Sequence, residues 1–149
     1  MIKFIRTDSS HSDFLLLVRA LDQYLAKIDG ADHAFYHQFN KVDELNHVVI
    51  AYSNEQAVGC GAIKALDQDT MEVKRMFTSP NARGLGIASG LLSELEKWAK
   101  EMNYKRCVLE TGHRMSDAIG LYSKAGYRTI TNYGQYVGIA NSSCFEKKL

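Results

Sequence analysis

Between residues 71 and 102 the chain passes without a break through a strand, a basic glycine turn and an amphipathic helix. Met71 to Thr78 has the length and residue types of a strand, and Ser79-Pro80-Asn81 ends it with the only proline in the chain. Arg83-Gly84-Leu85-Gly86 follows. Ile87, Leu91, Leu95, Trp98 and Met102 then form one apolar stripe at helical spacing, flanked by Ala88, Leu92 and Ala99. A strand feeding such a helix through a short turn forces the stripe back onto a sheet, which is an α/β arrangement. The same turn leaves the first amides of the helix facing outward, where the helix dipole favours an anion. Gly84 and Gly86 let the backbone come close to a phosphate, and Arg83 adds a planar charged donor.

The remainder of the chain supports the same class. Residues 2–6 read as a strand, and Ser10 is the expected N-cap of a helix whose stripe is Phe14, Leu17, Val18, Leu21, Leu25 and Ile28, with Gly30 as its stop. Ala31 to Asn46 is aromatic and mixed, a loop or a short helix. Val48–Tyr52, Gln56–Leu66 and Met71–Thr78 form a β-meander with turns at Ser53-Asn54-Glu55 and Asp67-Gln68-Asp69. After the central helix come a strand at Lys105–Thr111, a short helix at Ser116–Ala125 closed by Gly126, and strands at Tyr127–Thr131 and Ser142–Lys147. Glu96, four residues before Lys100, is expected to pair with it on the helix surface. The order β-α-β-β-β-α-β-α-β-β predicts an α/β domain on a mixed sheet, and 149 residues without a linker or repeat predict one domain, 1–149.

Composition removes several functions. With 18 Lys and Arg against 17 Asp and Glu, the chain lacks the bulk positive charge of a nucleic-acid binder. Cys60, Cys107 and Cys144 are odd in number and outside any C-x-x-C spacing, which argues against a disulfide framework or a cysteine-based metal site. His33 and His37 have an i, i+4 interval but no acidic companion in a zinc motif, so no metal is expected. No apolar run approaches the ~20 residues that span a bilayer, so no membrane partner is expected. Met1-Ile2-Lys3-Phe4-Ile5-Arg6 lacks the features of a signal peptide, and a cytoplasmic location is expected.

Three phosphate cradles use a glycine turn before a helix. The P-loop is excluded, because no Lys-Ser or Lys-Thr follows the glycines, and the dinucleotide fingerprint fails because Ser89 holds its third small position. Arg83, Gly86 and Ala88 instead make R-x-x-G-x-A, which resembles the acyl-CoA pyrophosphate motif of the GNAT N-acetyltransferase superfamily. Glu72-Val73-Lys74-Arg75-Met76-Phe77-Thr78-Ser79-Pro80 resembles that family's central strand and its exit. Ala118-Ile119-Gly120-Leu121-Tyr122-Ser123-Lys124-Ala125-Gly126-Tyr127 resembles its next helix and strand. The match covers about half the chain. One departure is at Met115-Ser116-Asp117, where many members carry an Asn; Ser116 can cap the helix in its place.

The resemblance implies a mostly antiparallel mixed sheet of about six to seven strands, flanked by helices and splayed centrally to hold acyl-CoA. It implies direct transfer of an acetyl group from acetyl-CoA to an amine. The pyrophosphate would sit on Arg83, Gly84, Leu85, Gly86, Ile87, Ala88 and Ser89, and the acyl arm along Met76, Phe77 and Thr78. Simple alternation along the strand puts Glu72, Lys74 and Met76 on one face and Val73, Arg75 and Phe77 on the other. Glu72 matches a catalytic glutamate of some members and is the first candidate base, with Glu110 on the neighbouring strand the second. The alternative for both is a structural ion pair with Lys74, Arg75 or Arg106. Tyr122 matches the family's usual acid for the departing thiolate, its alternative being a packing tyrosine. Cys107 as a nucleophile is less simple than Cys107 packed with Leu109 and Thr111.

Acceptor choice is expected from the first helix, the segment after it and the C-terminal strands. Tyr24, Asp29, Asp32, Phe35, Tyr36 and Phe39, with Asn132-Tyr133-Gly134-Gln135-Tyr136, would suit a small-molecule amine or an amino-acid-like acceptor. A peptide or protein lysine or N-terminus is the alternative acceptor, and a non-catalytic acyl-CoA sensor the alternative function. The number of subunits is open, a homodimer included.

Overall fold

A computed structural model describes residues 1–29, 44–112 and 115–149. Its strands are β1 (Ile2–Thr7), β2 (His47–Ser53), β3 (Gln56–Ala65), β4 (Thr70–Thr78), β5 (Arg106–Gly112), β6 (Arg128–Ile130) and β7 (Ser142–Lys148). Its α-helices are α1 (Ser12–Asp29), α2 (Ile87–Glu101) and α3 (Ser116–Lys124). The strands form one seven-stranded sheet in the order β1-β2-β3-β4-β5-β7-β6. Every neighbouring pair is antiparallel except β4 and β5. The expected mixed, mostly antiparallel sheet is therefore present. No helix among the described residues is long and apolar enough to cross a membrane.

Each face of the sheet has its own core. α1 lays Phe14, Leu17, Val18 and Leu21 on Val48, Ile50, Cys60, Ala62 and Phe77. α2 and α3 cover the other face, where Ile87, Leu91, Leu92, Leu95 and Tyr122 meet Val49, Ile63, Met71, Val73, Cys107 and Leu109. Leu91 and Leu95 are fully buried, and each such side chain stabilises the fold by about 1.5–3 kcal/mol relative to exposure.

Three local expectations are corrected. Ser10 does not cap α1, because its hydroxyl turns back to Asp8. His11 does so instead: its Nδ1 accepts from the Asp13 N–H at 3.1 Å and its carbonyl from the Leu15 N–H. Ser116 is the first residue of α3, and Met115 holds the N-cap position without a side-chain bond. Glu96 faces inward to Lys147 of β7 at 2.8 Å rather than to Lys100.

The sheet opens at its centre. β4 and β5 pair only through Thr70–Arg106, Met71–Cys107 and Glu72–Val108, and beyond Glu72 the two strands have no ladder between them. β4 also carries a bulge, where its pairing with β3 slips between Cys60 and Ala62 and Arg75 takes a φ of 58°. Simple alternation fails there. Lys74 and Arg75 are followed by Met76, which turns to the α2 side, while the Arg75 guanidinium reaches Asp22 of α1. Gly61, opposite the bulge, has no room for a side chain: a Cβ there would lie 2.5 Å from Met76 Sδ and 2.8 Å from Leu95 Cδ1. Met76 is therefore on the opposite face to the one simple alternation gives it, and Arg75 with Phe77 shares the α1 face.

Candidate active site

Two clefts meet where β4 and β5 part. The first lies at the glycine turn. Gly84 and Gly86 adopt φ of 83° and 77°, and a Cβ on either would meet nothing within 4 Å. Gly86 is the N-cap of α2 and no side chain caps the helix, whose first backbone bond of this kind is Gly90 N–H to Gly86 O. The amides of Ile87, Ala88 and Ser89 thus lack helical acceptors, in the arrangement an anion needs. Ile87 itself is buried in the core, so only its backbone can serve, whereas Leu85 is 62% exposed. The Arg83 guanidinium lies 5.2 Å from the centre of the Tyr24 ring. Tyr24, expected on the acceptor side, therefore belongs to this cleft, a space of about 350 Å³ that also takes in Met76, Phe77 and Thr78. A diphosphate with an extended arm fits these residues.

The second cleft is a cavity of about 120 Å³ between the parted strands. Glu72, Lys74 and Arg75 line it from β4, Glu110 from β5, Tyr122 from α3 and Tyr136 from the segment before β7. Both candidate carboxylates thus face one space. The Tyr133 hydroxyl donates to Glu72 Oε2 at 2.6 Å, and Lys74 Nζ stands 3.6 Å from Oε1. Burial raises the Tyr133 hydroxyl well above the usual phenol range, and the Glu72 charge adds to it. Tyr136 is shifted the same way by burial and by Glu110 and Glu72.

Tyr122 lines both clefts, as do Met76, Leu21, Met115 and Ala118. Its ring stands edge-on to Tyr127 at 5.9 Å, and burial, then Glu110, raises its hydroxyl above the usual range. The thiols of Cys60 and Cys107 are pushed up to about 12 by burial, which suits packed side chains and not nucleophiles. Among the described residues no group of His, Cys, Asp and Glu could hold a metal. Asp32, His33, Phe35, Tyr36, His37, Phe39 and His113 lie outside the described residues, as does the side chain of Asp29.

Sequence reasoning missed Arg75, Leu21 and Leu25 as cavity residues and Tyr133 as the partner of Glu72. An arginine is no signal for a left-handed bulge, and no spacing joins residues 72 and 133. Only the helical stripe carrying Leu21 and Leu25 was available as a pointer.

A split parallel rung beside an uncapped, arginine-flanked helix start, with a tyrosine at the junction, is the layout of an acyltransferase that uses coenzyme A thioesters. Residues 15–127 match the family described as "Acetyltransferase (GNAT) family". The chain is 35% identical to an IAA acetyltransferase of Azospirillum brasilense over 137 residues, 89% of this chain and 88% of that one. A Klebsiella pneumoniae structure, named as a candidate acyl-CoA N-acyltransferase, superposes with a TM-score of 0.84 at 28% identity, covering 100% of this chain and 98% of that one. A GNAT acetyltransferase of Elizabethkingia anophelis, solved with acetyl-CoA bound, has the same fold with a TM-score of 0.71 at 18% identity, covering 99% and 98%. The chain belongs to the GNAT acetyltransferase family. It is an acyltransferase.

Proposed function

We propose that this enzyme moves the acetyl group directly to the primary amine of a small molecule, with an amino-acid-like acceptor the favoured class. The meeting of the two clefts at Tyr122 carries this reading, since donor and acceptor would then reach the same side chain. The volume supports a small acceptor: about 120 Å³ is below the ~300–1,000 Å³ of sites for drug-sized ligands.

Bound acetyl-CoA supplies the thioester carbonyl and the sulfur leaving group. The amides of residues 84–89 and the Arg83 guanidinium hold the pyrophosphate, and Met76, Phe77 and Thr78 offer the free strand edge to the acyl arm. An alkylammonium with a pKa near ~10 must lose a proton before its lone pair can attack. Glu72 takes that proton at Oε1, directly or through a water, while Tyr133 fixes Oε2. Glu110 is the second carboxylate of the same cavity and the alternative base. Tyr122 Oη gives a proton to the departing sulfur. Burial keeps this hydroxyl protonated, and the same desolvation raises the basicity of a thiolate beside it.

The test is thiol release from acetyl-CoA over a panel of small amines and lysine peptides. Release with small amines supports the reading. Binding of acetyl-CoA without release makes the protein a sensor, and release with peptides alone moves the acceptor to protein lysines.

A further inference from the structure

We propose that Arg75 is an anion-recognition residue of the acceptor cavity, and that the acceptor is a primary amine carrying a carboxylate. This rests on the acetyl-transfer reading above and adds what the acceptor must bear. The bulge in β4 holds Arg75 at φ 58°, an unfavourable conformation for a residue with a Cβ, and sends its side chain beneath α1. That side chain is 1% exposed.

Its guanidinium is only partly paired. Nη2 donates to Asp22 Oδ1 at 2.9 Å, while Nε and Nη1 are buried without a partner. Nη2 has two hydrogens, one on the Nε side of the fork and one on the Nη1 side. Whichever of them Asp22 takes, one complete two-donor edge is left over. A buried guanidinium with a free edge is costly unless an anion completes it. The neighbouring Cys60 donates its thiol to the Arg75 carbonyl at 3.4 Å and gives the guanidinium no negative charge. Lys74, the other cation of the cavity, already faces Glu72.

Arg75 and Glu110 line the same cavity from strands on either side of the gap. A molecule spanning it meets a cation on one wall and a carboxylate on the other, the complement of a zwitterion. The acceptor's carboxylate is placed at Arg75, and its ammonium at Glu72 and Glu110. A planar carboxylate matches the guanidinium fork, and a phosphate shares that chemistry at greater bulk. About 120 Å³ favours the carboxylate.

The experiment compares each α-amino acid with its α-amide, which keeps the ammonium and loses the acid. Thiol release from acetyl-CoA reads turnover, and the shift in melting temperature reads binding. Wild-type protein is expected to favour acids over amides by about tenfold or more in kcat/KM, carried by KM. Arg75→Gln brings the ratio close to one, and Arg75→Lys, which keeps the charge without the fork, recovers part of it. Equal use of acids and amides by the wild type overturns the subsite and leaves acetyl transfer standing. An unchanged ratio in both variants, or inorganic phosphate competing better than any amino acid, overturns the carboxylate assignment. Arg75-dependent stabilisation by acids with no thiol release from any amine keeps the subsite and removes the acetyl-transfer reading. Neither stabilisation nor release removes both. If Arg75→Gln fails to fold, Arg75→Lys and the wild-type comparison decide. A purely structural Arg75 would lower stability and leave the ratio alone.

Discussion

The Tyr133 hydroxyl donates to Glu72 Oε2 at 2.6 Å, and Glu72 is the last residue of β4 still paired with β5. The bond therefore ties the segment after β6 to the point where the sheet opens. Tyr133→Phe removes it and leaves a carboxylate oxygen largely buried. A hydrogen bond to a charged group contributes about 1.5–3 kcal/mol, so urea unfolding should show a loss of that order. If Glu72 is the base, kcat should fall as well while acetyl-CoA affinity holds. An unchanged midpoint and unchanged kcat would show that the bond positions nothing.

Tyr122→Phe keeps the ring and its contacts and deletes one proton donor. Loss of a general acid costs about 10²–10⁴ in rate. Acetyl-CoA affinity, read by calorimetry, should change by no more than a few-fold, because the proposed pyrophosphate cradle is at the glycine turn. A variant with near wild-type kcat, under conditions where chemistry limits the rate, takes Tyr122 out of the reaction. A large fall in both kcat and melting temperature makes it a packing residue.

Gly86→Val places a β-branched side chain at φ 77° and fills the approach to the helix start. Acetyl-CoA should raise the melting temperature of the wild type by mass action and have no such effect on this variant. An equal shift in both proteins would refute the cradle.

Glu146 sits between Arg128 at 3.0 Å and Arg106 at 3.3 Å. Burial opposes its charge, yet the hydrogen bonds from the two arginines outweigh it and hold the carboxyl below its usual range. Its contribution is complete above the unfolded glutamate value of about 4.3 and drains away as pH falls through the lower folded value. The stability difference between wild type and Glu146→Gln should therefore be steady near neutral pH and shrink below about 4.3. Unfolding curves over that range check the sign, and a constant difference contradicts it.

The elements were readable because their signals are local. The stripe from Ile87 to Met102 can pack only as a helix, and the β2–β3 turn declares itself at Asn54 and Glu55, which take φ of 50° and 68°. The strand ends shift by a residue or two, as at β6, where three residues pair instead of the expected five. Non-local contacts were not legible. Glu96 chooses Lys147 over Lys100 because the strand brings that lysine to a half-buried face. His11 displaces Ser10 as cap because Asp8 captures the serine. The bulge at Arg75 inverts the faces of Arg75 and Met76 relative to simple alternation, and no property of an arginine announces it. The resemblance pointed to the glycine turn, to Tyr122 and to the carboxylates Glu72 and Glu110, all of which line the two clefts, whereas the place of Arg75 in the same cavity came only with the fold.

Three rungs join β1–β4 to β5–β7 along the sheet. Beyond these rungs the two leaves are held by side-chain packing and a few hydrogen bonds, Tyr133 to Glu72 and Arg106 to Thr70 among them, so this short spine is where local opening is expected. An acyl arm laid along β4 would act as an added rung. On that reading the donor would double as a splint, and each release of spent coenzyme would loosen the sheet until the next donor bound. Backbone amides bordering the gap should exchange with solvent fastest in the empty enzyme, so the rhythm of turnover would be written in the sheet itself.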